Sequence, residues 1–259
     1  MKLFAATLAT LFFSAWVEGN QGSAKPAPKP SPDVQEATPQ LYTYTTDLLF
    51  GEVWKRQELA PRDRSLITIA AILANGQSAQ LTGHFNLGLD NGLKPSEISA
   101  LITHLAFYSG WPNAISAAGV AKKVFTDRGL TAEQILSPSS EPLTLDPASE
   151  TKRKAAVQAS VGDVAPQLAE YTNDVLFGDL WRNADLTPRD RSLITVAALT
   201  AQGQVAQLPF HLNRAMDNGL TQAQAAEVIT HLAFYVGWPK AISAVPVLKE
   251  VFASRKPQG

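Results

Sequence analysis

The sequence predicts an all-α protein that contains two copies of one helical module. Apolar residues recur at helical spacing in segments that end at glycine or proline, and no useful stretch alternates with a period of two. The segments also repeat at a constant offset, since Pro-Arg-Asp-Arg-Ser-Leu-Ile-Thr at 61–68 returns at 188–195, 127 residues later. More than half of positions 39–126 are identical to their counterparts in 166–253, which indicates a tandem duplication. Buried strands are the alternative for some apolar segments, although the turn dipeptides of hairpins are missing.

The sequence predicts five helices in each module. In the first copy they cover 40–50, 63–74, 78–90, 98–109 and 113–125. Pro61 precedes the second helix, where its missing N–H costs nothing, and Gly76 closes that helix. Asn91-Gly92 ends the third helix, and Gly110-Trp111-Pro112 separates the last two. Apolar residues lie all round the segment 63–74, so we expect this helix to be buried on much of its surface.

Outside the two helical modules, the sequence predicts a signal peptide, a spacer and a linker. Residues 1–24 begin with Met1-Lys2, continue with an apolar run and end in small residues, which is typical of a secretory signal peptide. A retained membrane anchor is the alternative. Prolines make 25–38 an extended spacer. The first module then covers 39–126, a linker with a proline-rich loop covers 127–160, and the second module covers 161–254. The expected location is therefore exported, periplasmic or secreted.

Composition excludes several classes of function. The net charge is −1 and no basic cluster stands out, which disfavours nucleic-acid binding. The chain has no cysteine, so it forms no disulfide, thiolate nucleophile or iron–sulfur cluster. Its four histidines lie 20 residues apart within each module, without metal-ligand spacing, and no glycine-rich phosphate loop is present. We therefore expect no metal and no cofactor.

A first set of candidate residues carries two amides and an imidazole at helical spacing. Gln77, Gln80 and His84 recur as Gln204, Gln207 and His211. Spacings of three and seven predict that each set shares one helical face. The histidine then serves as a general acid or base, or as a buried hydrogen-bonding residue between helices, and the residues alone favour the second interpretation.

Two further sets repeat in both copies. Arg64 and its counterpart Arg191 lie near a helix N-terminus, against the helix dipole, which calls for a carboxylate partner. That carboxylate belongs to a substrate, or to Glu52 or Asp63 in a structural ion pair. His104 and Tyr108, repeated as His231 and Tyr235, lie one turn apart and line a pocket or pack in the core. The tryptophan pairs Trp111/Trp238, as a lid, and Trp54/Trp181 complete the candidate substrate-binding residues.

These motifs resemble the carboxymuconolactone decarboxylase family, which shares its fold with alkylhydroperoxidase D. The matching string includes Leu49-Phe50-Gly51, Arg62-Asp63-Arg64-Ser65, His84, Asp90-Asn91-Gly92-Leu93 and Thr103 to Pro112. The resemblance implies an all-helical module of the alkylhydroperoxidase D type, here in tandem, and assembly as a homo-oligomer, for this chain a trimer. It also departs from the peroxidase branch, whose Cys-x-x-Cys-x-x-x-His reads Gln77-x-x-Gln80-x-x-x-His84 here, so thiol peroxidase chemistry lacks its nucleophile.

The decarboxylase branch implies a cofactor-free lyase that acts on a small carboxylated lactone or a similar acid. In that interpretation Arg64 and Arg191 hold the carboxylate, His84 and His211 protonate carbon, and Tyr108 or Gln80 donates to an enolate oxygen. Ring-cleavage catabolism is normally cytosolic, whereas this chain is expected to be exported. An exported, non-catalytic module that binds a small acid therefore stays open as the alternative function.

Overall fold

The computed structural model describes residues 30–136 and 141–255, and these residues form helices and no strand. The predicted all-α class is therefore confirmed for the described part of the chain. Its thirteen α-helices are α1 Pro32–Ala37, α2 Pro39–Thr43, α3 Pro61–Ala74, α4 Ser78–Asp90, α5 Pro95–Ser109, α6 Trp111–Asp127, α7 Ala132–Ile135, α8 Pro147–Val157, α9 Pro166–Tyr171, α10 Pro188–Gln202, α11 Leu208–Asp217, α12 Gln222–Val236 and α13 Trp238–Ser254.

The predicted helix boundaries hold to within a few residues. α3 begins at Pro61, and the chain leaves it through Gly76, whose φ of 69° is accessible to glycine at little cost. Every residue from Asp63 to Ala74 is buried, as expected for a helix surrounded by apolar side chains. α5 begins at Pro95 and α6 at Trp111, directly before Pro112, because proline fits the first turn of a helix.

The predicted helix 40–50 is helical but changes its pitch. α2 passes directly into a π-helical segment, Tyr44–Leu49, and the second module repeats this with α9 followed by Thr172–Phe177. A short 3-10 turn follows each π-helical segment, Val53–Lys55 in the first module and Leu180–Arg182 in the second. Both turns deliver a tryptophan to the sites described below.

The joint between the modules is more ordered than its sequence predicts. The expected signal peptide and residues 25–29 of the spacer lie outside the described residues. The rest of the spacer is not extended as predicted, because α1 makes Pro32–Ala37 helical, with proline in its first turn. Within the linker, however, α8 follows Asp146, whose carboxylate accepts a hydrogen bond from the backbone N–H of Ser149 at 2.7 Å. Asp146 and Pro147 therefore start a helix rather than extend a loop. Arg153 of α8 is buried and lies over the ring of Phe177 at 4.2 Å, which attaches the linker to the second module.

The two modules share one hydrophobic core. The equivalent helices α3 and α10 pack against each other at its centre, and each also packs against a helix of the other module: α12 against α3, and α5 against α10. Reciprocal ion pairs join the N-terminal ends of α3 and α10, since Arg62 bonds Asp190 at 2.8 Å and Arg189 bonds Asp63 at 2.7 Å. This interleaving places side chains of both modules around common sites.

Within the described ranges, no helix is both long enough and apolar enough to cross a membrane.

Candidate active site

Two equivalent clusters of aromatic and polar side chains lie between the modules. In each, one module supplies a 3-10 turn, its central helix and the helix after it, and the other module supplies α5 or α12. The first composite site consists of Trp54, Arg64, Thr68 and His84 from the first module with Glu227, His231 and Tyr235 from the second. The second composite site consists of Trp181, Arg191, Thr195, His211 and Arg214 from the second module with His104 and Tyr108 from the first.

The rings of the second composite site form one packed group. The His104 ring stacks on Tyr108, with centroids 4.9 Å apart, as expected for residues one turn apart on a helix. Trp181 contacts His104 edge-on at 5.3 Å and stacks on His211 at 5.8 Å, and His211 meets Tyr108 edge-on at 5.3 Å. The first composite site repeats this arrangement, with His84 5.5 Å from Tyr235 and Trp54 5.1 Å from His231.

One histidine in each cluster is locked in a single neutral tautomer. Arg191 Nη1 lies 3.2 Å from His104 Nδ1, and Thr195 Oγ1 lies 2.8 Å from His104 Nε2. A guanidinium only donates, so Nδ1 must accept and the ring proton must reside on Nε2. The Thr195 hydroxyl donates to the Arg191 carbonyl at 2.8 Å, which leaves its oxygen free to accept from Nε2.

His231 has the same contacts, to Arg64 at 3.2 Å and to Thr68 at 2.8 Å. Burial holds the pKa of His104 well below its usual range and lowers the pKa of His231 to about 3. Both rings are therefore neutral scaffold residues that cannot exchange a proton at Nδ1 without losing their arginine.

The other histidine in each cluster has a free nitrogen. The Nδ1 atoms of His84 and His211 are buried and have no hydrogen-bond partner among the described residues. Burial lowers the pKa of His84 to about 4 and the pKa of His211 to about 3, so both rings are neutral at pH 7. Buried polar atoms are nearly always paired in native proteins, so these two nitrogens are the clearest candidates for contact with a ligand.

A tryptophan orients the tyrosine hydroxyl in each site. Trp181 Nε1 donates to the Tyr108 hydroxyl oxygen at 2.8 Å, and Trp54 Nε1 donates to the Tyr235 hydroxyl oxygen at 2.8 Å. Burial raises the pKa of both tyrosines well above their usual value. Each hydroxyl keeps its proton at neutral pH. Because the Tyr108 oxygen already accepts from Trp181, this hydroxyl is available as a donor to an anion, whereas the Tyr235 hydroxyl also has a hydrogen bond with the Thr68 side chain.

The two sites differ in their charges. In the first, Glu227 is 2% exposed and accepts from Arg64 at 2.8 Å and from Arg56 at 2.8 Å. Burial opposes a charge on Glu227, yet the hydrogen bonds from Arg56 and Arg64 hold its pKa below the usual value. In the second, Arg191 is 1% exposed, and its partners among the described residues are His104 and the Asn183 carbonyl, the latter at 2.6 Å.

The second guanidinium of the second composite site, unlike Arg56 in the first, has no bonded carboxylate among the described residues. Arg214 on α11 stacks over the Trp181 ring at 4.2 Å and makes no hydrogen bond within the described ranges. It lines a cleft of about 650 Å³ together with Trp181 and Phe210. Burial lowers the pKa of Arg191 to about 10, and burial also lowers that of Arg214, so both stay charged at pH 7.

The structure brings together most of the residues predicted from sequence. Arg64, His84 and Trp54 meet His231 and Tyr235, and their counterparts meet in the second site, always across the module boundary. The carboxylate partner expected for Arg64 is neither Glu52 nor Asp63 but Glu227 of the other module, because α12 packs against α3.

Other predicted residues lie elsewhere. Gln77, Gln80, Gln204 and Gln207 are all exposed. The helical face predicted for the second set is wrong, because α11 begins only at Leu208 and leaves both of its glutamines in the preceding turn. Trp111 and Trp238 begin α6 and α13, are 56% and 54% exposed, and pack on Phe107 and Phe234 rather than close the sites as lids.

Sequence reasoning missed Arg214 and Glu227. It gave weight to polar residues retained in both copies, whereas Arg214 replaces Leu87 and Glu227 replaces Ala100 at equivalent positions. Position 100 lies in the stretch 94–101, where the copies differ throughout. That divergence was the available signal for an asymmetry between the sites.

Among the described residues no group of three or more histidine, cysteine, aspartate or glutamate side chains could hold a metal ion. The polar groups of the sites are instead imidazoles, phenols, indoles and guanidiniums, a set suited to a small anion with both apolar and hydrogen-bonding surface.

The chain is thus a cysteine-free all-α protein of two tandem helical modules. Its two composite sites are clusters of histidine, tyrosine and tryptophan at the boundary between the modules. The chain belongs to the carboxymuconolactone decarboxylase family, whose pattern it matches twice, at residues 39–123 and 166–250.

Characterised relatives include two decarboxylases. The chain is 38% identical over 86 residues to 4-carboxymuconolactone decarboxylase of Acinetobacter baylyi, a match that covers 33% of this chain and 64% of that protein. The chain thus spans just under two thirds of that relative's length. It is 29% identical over 114 residues to nitrosuccinic acid decarboxylase npaB of Metarhizium robertsii, covering 44% of this chain and 73% of that protein.

Proposed function

We propose that this protein is a cofactor-free decarboxylase of a small carboxylic acid and that its chemistry takes place at a composite site between the modules. The observation that carries the proposal is the buried, unpartnered Nδ1 of His211, and of His84 in the first site, against a tyrosine hydroxyl held by a tryptophan. Two relatives of the chain carry names that make them decarboxylases of carboxylated compounds. Substrate identity is proposed only at the level of a small acid or carboxylated lactone.

The reaction needs an electron sink and a proton, and the site offers groups for both. Loss of CO2 breaks the bond between the carboxyl carbon and its neighbour and leaves the electron pair on the substrate as a carbanion or enolate. The Tyr108 hydroxyl is neutral and free to donate, so it can stabilise an enolate oxygen as negative charge develops there. One proton must then reach carbon to complete the product.

His211 is the proposed carrier of that proton. Its pKa of about 3 belongs to a buried imidazole beside the cation Arg214. A bound anion favours the imidazolium, so the neutral ring can take up a proton from solvent, and the imidazolium that forms can deliver this proton to the carbanion. The His104 ring stacks on the same tyrosine, but its proton stays on Nε2 and is donated to the Thr195 hydroxyl oxygen. We therefore assign His104 and Arg191 to positioning.

The test is CO2 release by the purified chain from nitrosuccinate and from a series of carboxylated lactones. We expect release from at least one of these acids and a loss of at least 100-fold in the double variant His84→Ala, His211→Ala, since general acid–base groups contribute about 10²–10⁴-fold. Lys123→Ala, an exposed change on α6, is the control that retains turnover, and circular dichroism checks that helicity is kept.

If the variant that lacks both histidines still released CO2 at the wild-type rate, the histidines would have no role in the mechanism. Acids that raise the melting temperature without any CO2 release would overturn the decarboxylase and identify a binding module instead.

We further propose that the chain is exported and self-associates. Export rests on the basic start and apolar run within residues 1–24. Self-association rests on one apolar patch per module, formed by Phe107, Trp111 and Ile115 and repeated by Phe234, Trp238 and Ile242. Such exposed patches are typical of interfaces.

A further inference from the structure

We propose that the two composite sites are not equivalent: the second binds one small carboxylate anion per chain, and the first is closed to such an anion by its own glutamate. The inference rests on the proposed function for the chemical class of the ligand, a small acid. It is carried by the charges that three pairs of equivalent positions place in the sites: Arg56 and Asn183, Leu87 and Arg214, and Ala100 and Glu227.

In the first composite site, the charge of the central arginine is already compensated. Arg64 is fully buried and uses three hydrogen bonds, to His231, to the Arg56 carbonyl and to Glu227. The Glu227 carboxylate is itself clamped by Arg56 through two nitrogens. An incoming carboxylate would have to displace this buried ion pair or lie beside a like charge, and both are unfavourable.

The second composite site lacks that carboxylate. Arg191 occupies the position of Arg64 with the same histidine and carbonyl contacts, but the residue equivalent to Glu227 is Ala100, which has no charge to offer. A guanidinium has five N–H donors, and Arg191 uses two of them. A buried cation without an anionic hydrogen-bond partner is the condition that an anionic ligand relieves.

Arg214 gives the second site a more accessible cation. It replaces Leu87 of the first site, lines the cleft and stacks on Trp181, so its N–H edges are free to take a carboxylate in a bidentate geometry. Its electrostatic influence reaches His211, His104 and Tyr108, because it contributes to the pKa shift of each. This cation therefore acts on the groups proposed to carry out the chemistry.

Nearby carboxylates do not cancel these cations. Glu150 is bonded by Arg153 at 2.9 Å, and Asp217 is bonded by Arg255 at 2.6 Å. Asp185 influences Arg191 through space without a hydrogen bond to it. The second site therefore keeps two guanidiniums that lack a bonded carboxylate, whereas the first has its buried pair.

Calorimetric titration with succinate, a small unreactive dicarboxylate, tests the inference by stoichiometry. We expect one succinate per full-length chain. Exchange of equivalent residues supplies matched variants: Arg214→Leu, which installs the first site's residue, should weaken binding at least tenfold. The triple variant Arg56→Asn, Leu87→Arg, Glu227→Ala should instead bind two succinates per chain, because it gives the first site the charged residues of the second.

Ala100→Glu tests the other exchange and should reduce the stoichiometry to zero. If Ala100→Glu does not fold by circular dichroism, Arg214→Leu decides the question, since a half-buried rim residue is changed to the one its counterpart already carries. Two succinates per wild-type chain, no binding by the wild type, or unchanged affinity in Arg214→Leu would each overturn the inference.

The titration tests the inequivalence of the sites and the CO2 assay tests the decarboxylase, so a negative result in one does not decide the other. One succinate per chain that depends on Arg214, without CO2 release from any acid, would leave this inference standing and remove the decarboxylase. CO2 release together with two succinates per chain would keep the decarboxylase and remove the inequivalence.

Discussion

Arg64 and Arg191 show how little a single residue determines about its own role. Each is the fourth residue of a central helix and is buried. Each also contacts the Nδ1 atom of a histidine through its Nη1 atom. Their surroundings differ because another module supplies Glu227 to one and Ala100 to the other. The sequence around each arginine is identical, so its electrostatic environment depends on a residue more than 90 positions away.

The four histidines predict a steep loss of stability in mild acid. Their pKa values in the fold are lowered by burial, to about 4 for His84 and to about 3 for His211 and His231. The unfolded chain, with histidine pKa values near 6.5, then binds more protons than the native state as pH falls below 6.5. The free energy of unfolding therefore decreases by up to about 1.4 kcal/mol per pH unit for each histidine.

Urea denaturation at pH 7 and pH 5 measures this effect. His211→Gln removes one titrating group, so its loss of stability between these pH values should be smaller than the wild type's by about 2 kcal/mol. His84→Gln should show the same change, because its histidine has the same kind of environment. An identical loss in wild type and both variants would show that the imidazoles are not kept neutral in the fold.

At the scale of elements, the contact between α3 and α10 depends on ion pairs that are reciprocal but not equal. Arg189 donates to Asp63 at 2.7 Å and has only a looser contact with Asp190 at 3.5 Å. Arg62 bonds both Asp190 and Glu97 at 2.8 Å. The position equivalent to Glu97 is Gln224, so the second module has no matching carboxylate.

Asp63→Asn should therefore destabilise the protein more than Asp190→Asn. The first change leaves Arg189 with its looser contact, at a cost of about 1–2 kcal/mol, whereas the second leaves Arg62 paired with Glu97, at a cost below about 1 kcal/mol. Chemical denaturation of the two variants at pH 7 measures the difference, and each serves as the other's control. An equal or larger loss in Asp190→Asn would contradict the assignment.

Local sequence signals predicted the helices well and the connections poorly. The proline and glycine positions that bound α3 to α6 are local, so they could be assigned without tertiary contacts. Asp146-Pro147 lies in the linker, for which the prolines predict a loop, because its role as a helix start depends on the helix that follows. Gln204 and Gln207 were placed on a helix by analogy with the first copy, yet α11 begins three residues later in its module than α4 does, after a turn.

At the scale of the whole molecule, the sequence predicts which residue types form the sites but not which module supplies each residue. Spacing placed His104 beside Tyr108, and the repeat marked Arg64, His84 and Trp54 as candidates. No periodicity indicates that α12 packs against α3 and α5 against α10, so the crossing of residues between modules was invisible in the sequence. Arg214 and Glu227 escaped because a search for retained pairs overlooks positions where the two copies have diverged.

The assembled molecule leaves both apolar patches exposed, and this leads to a prediction about its oligomeric state. Trp111 and Trp238 are 56% and 54% exposed, and Ile115 and Ile242 are 67% and 61% exposed, at equivalent positions of the two modules. Large aromatic and aliphatic side chains in repeated patches are expected to be covered by other copies of the chain. Because each chain carries two modules, three chains would present six equivalent modules in a closed assembly.

Light scattering of the purified protein should give the mass of three chains at micromolar concentration. The variant Trp238→Ser, Ile242→Ser removes one patch and should lower the mass toward that of a single chain, because the apolar area that drives association is lost. It should keep the helicity of the wild type, since neither side chain belongs to the buried core. Lys123→Ser, a similarly exposed change outside the patches, should remain a trimer, and a wild-type protein with the mass of one chain would refute self-association.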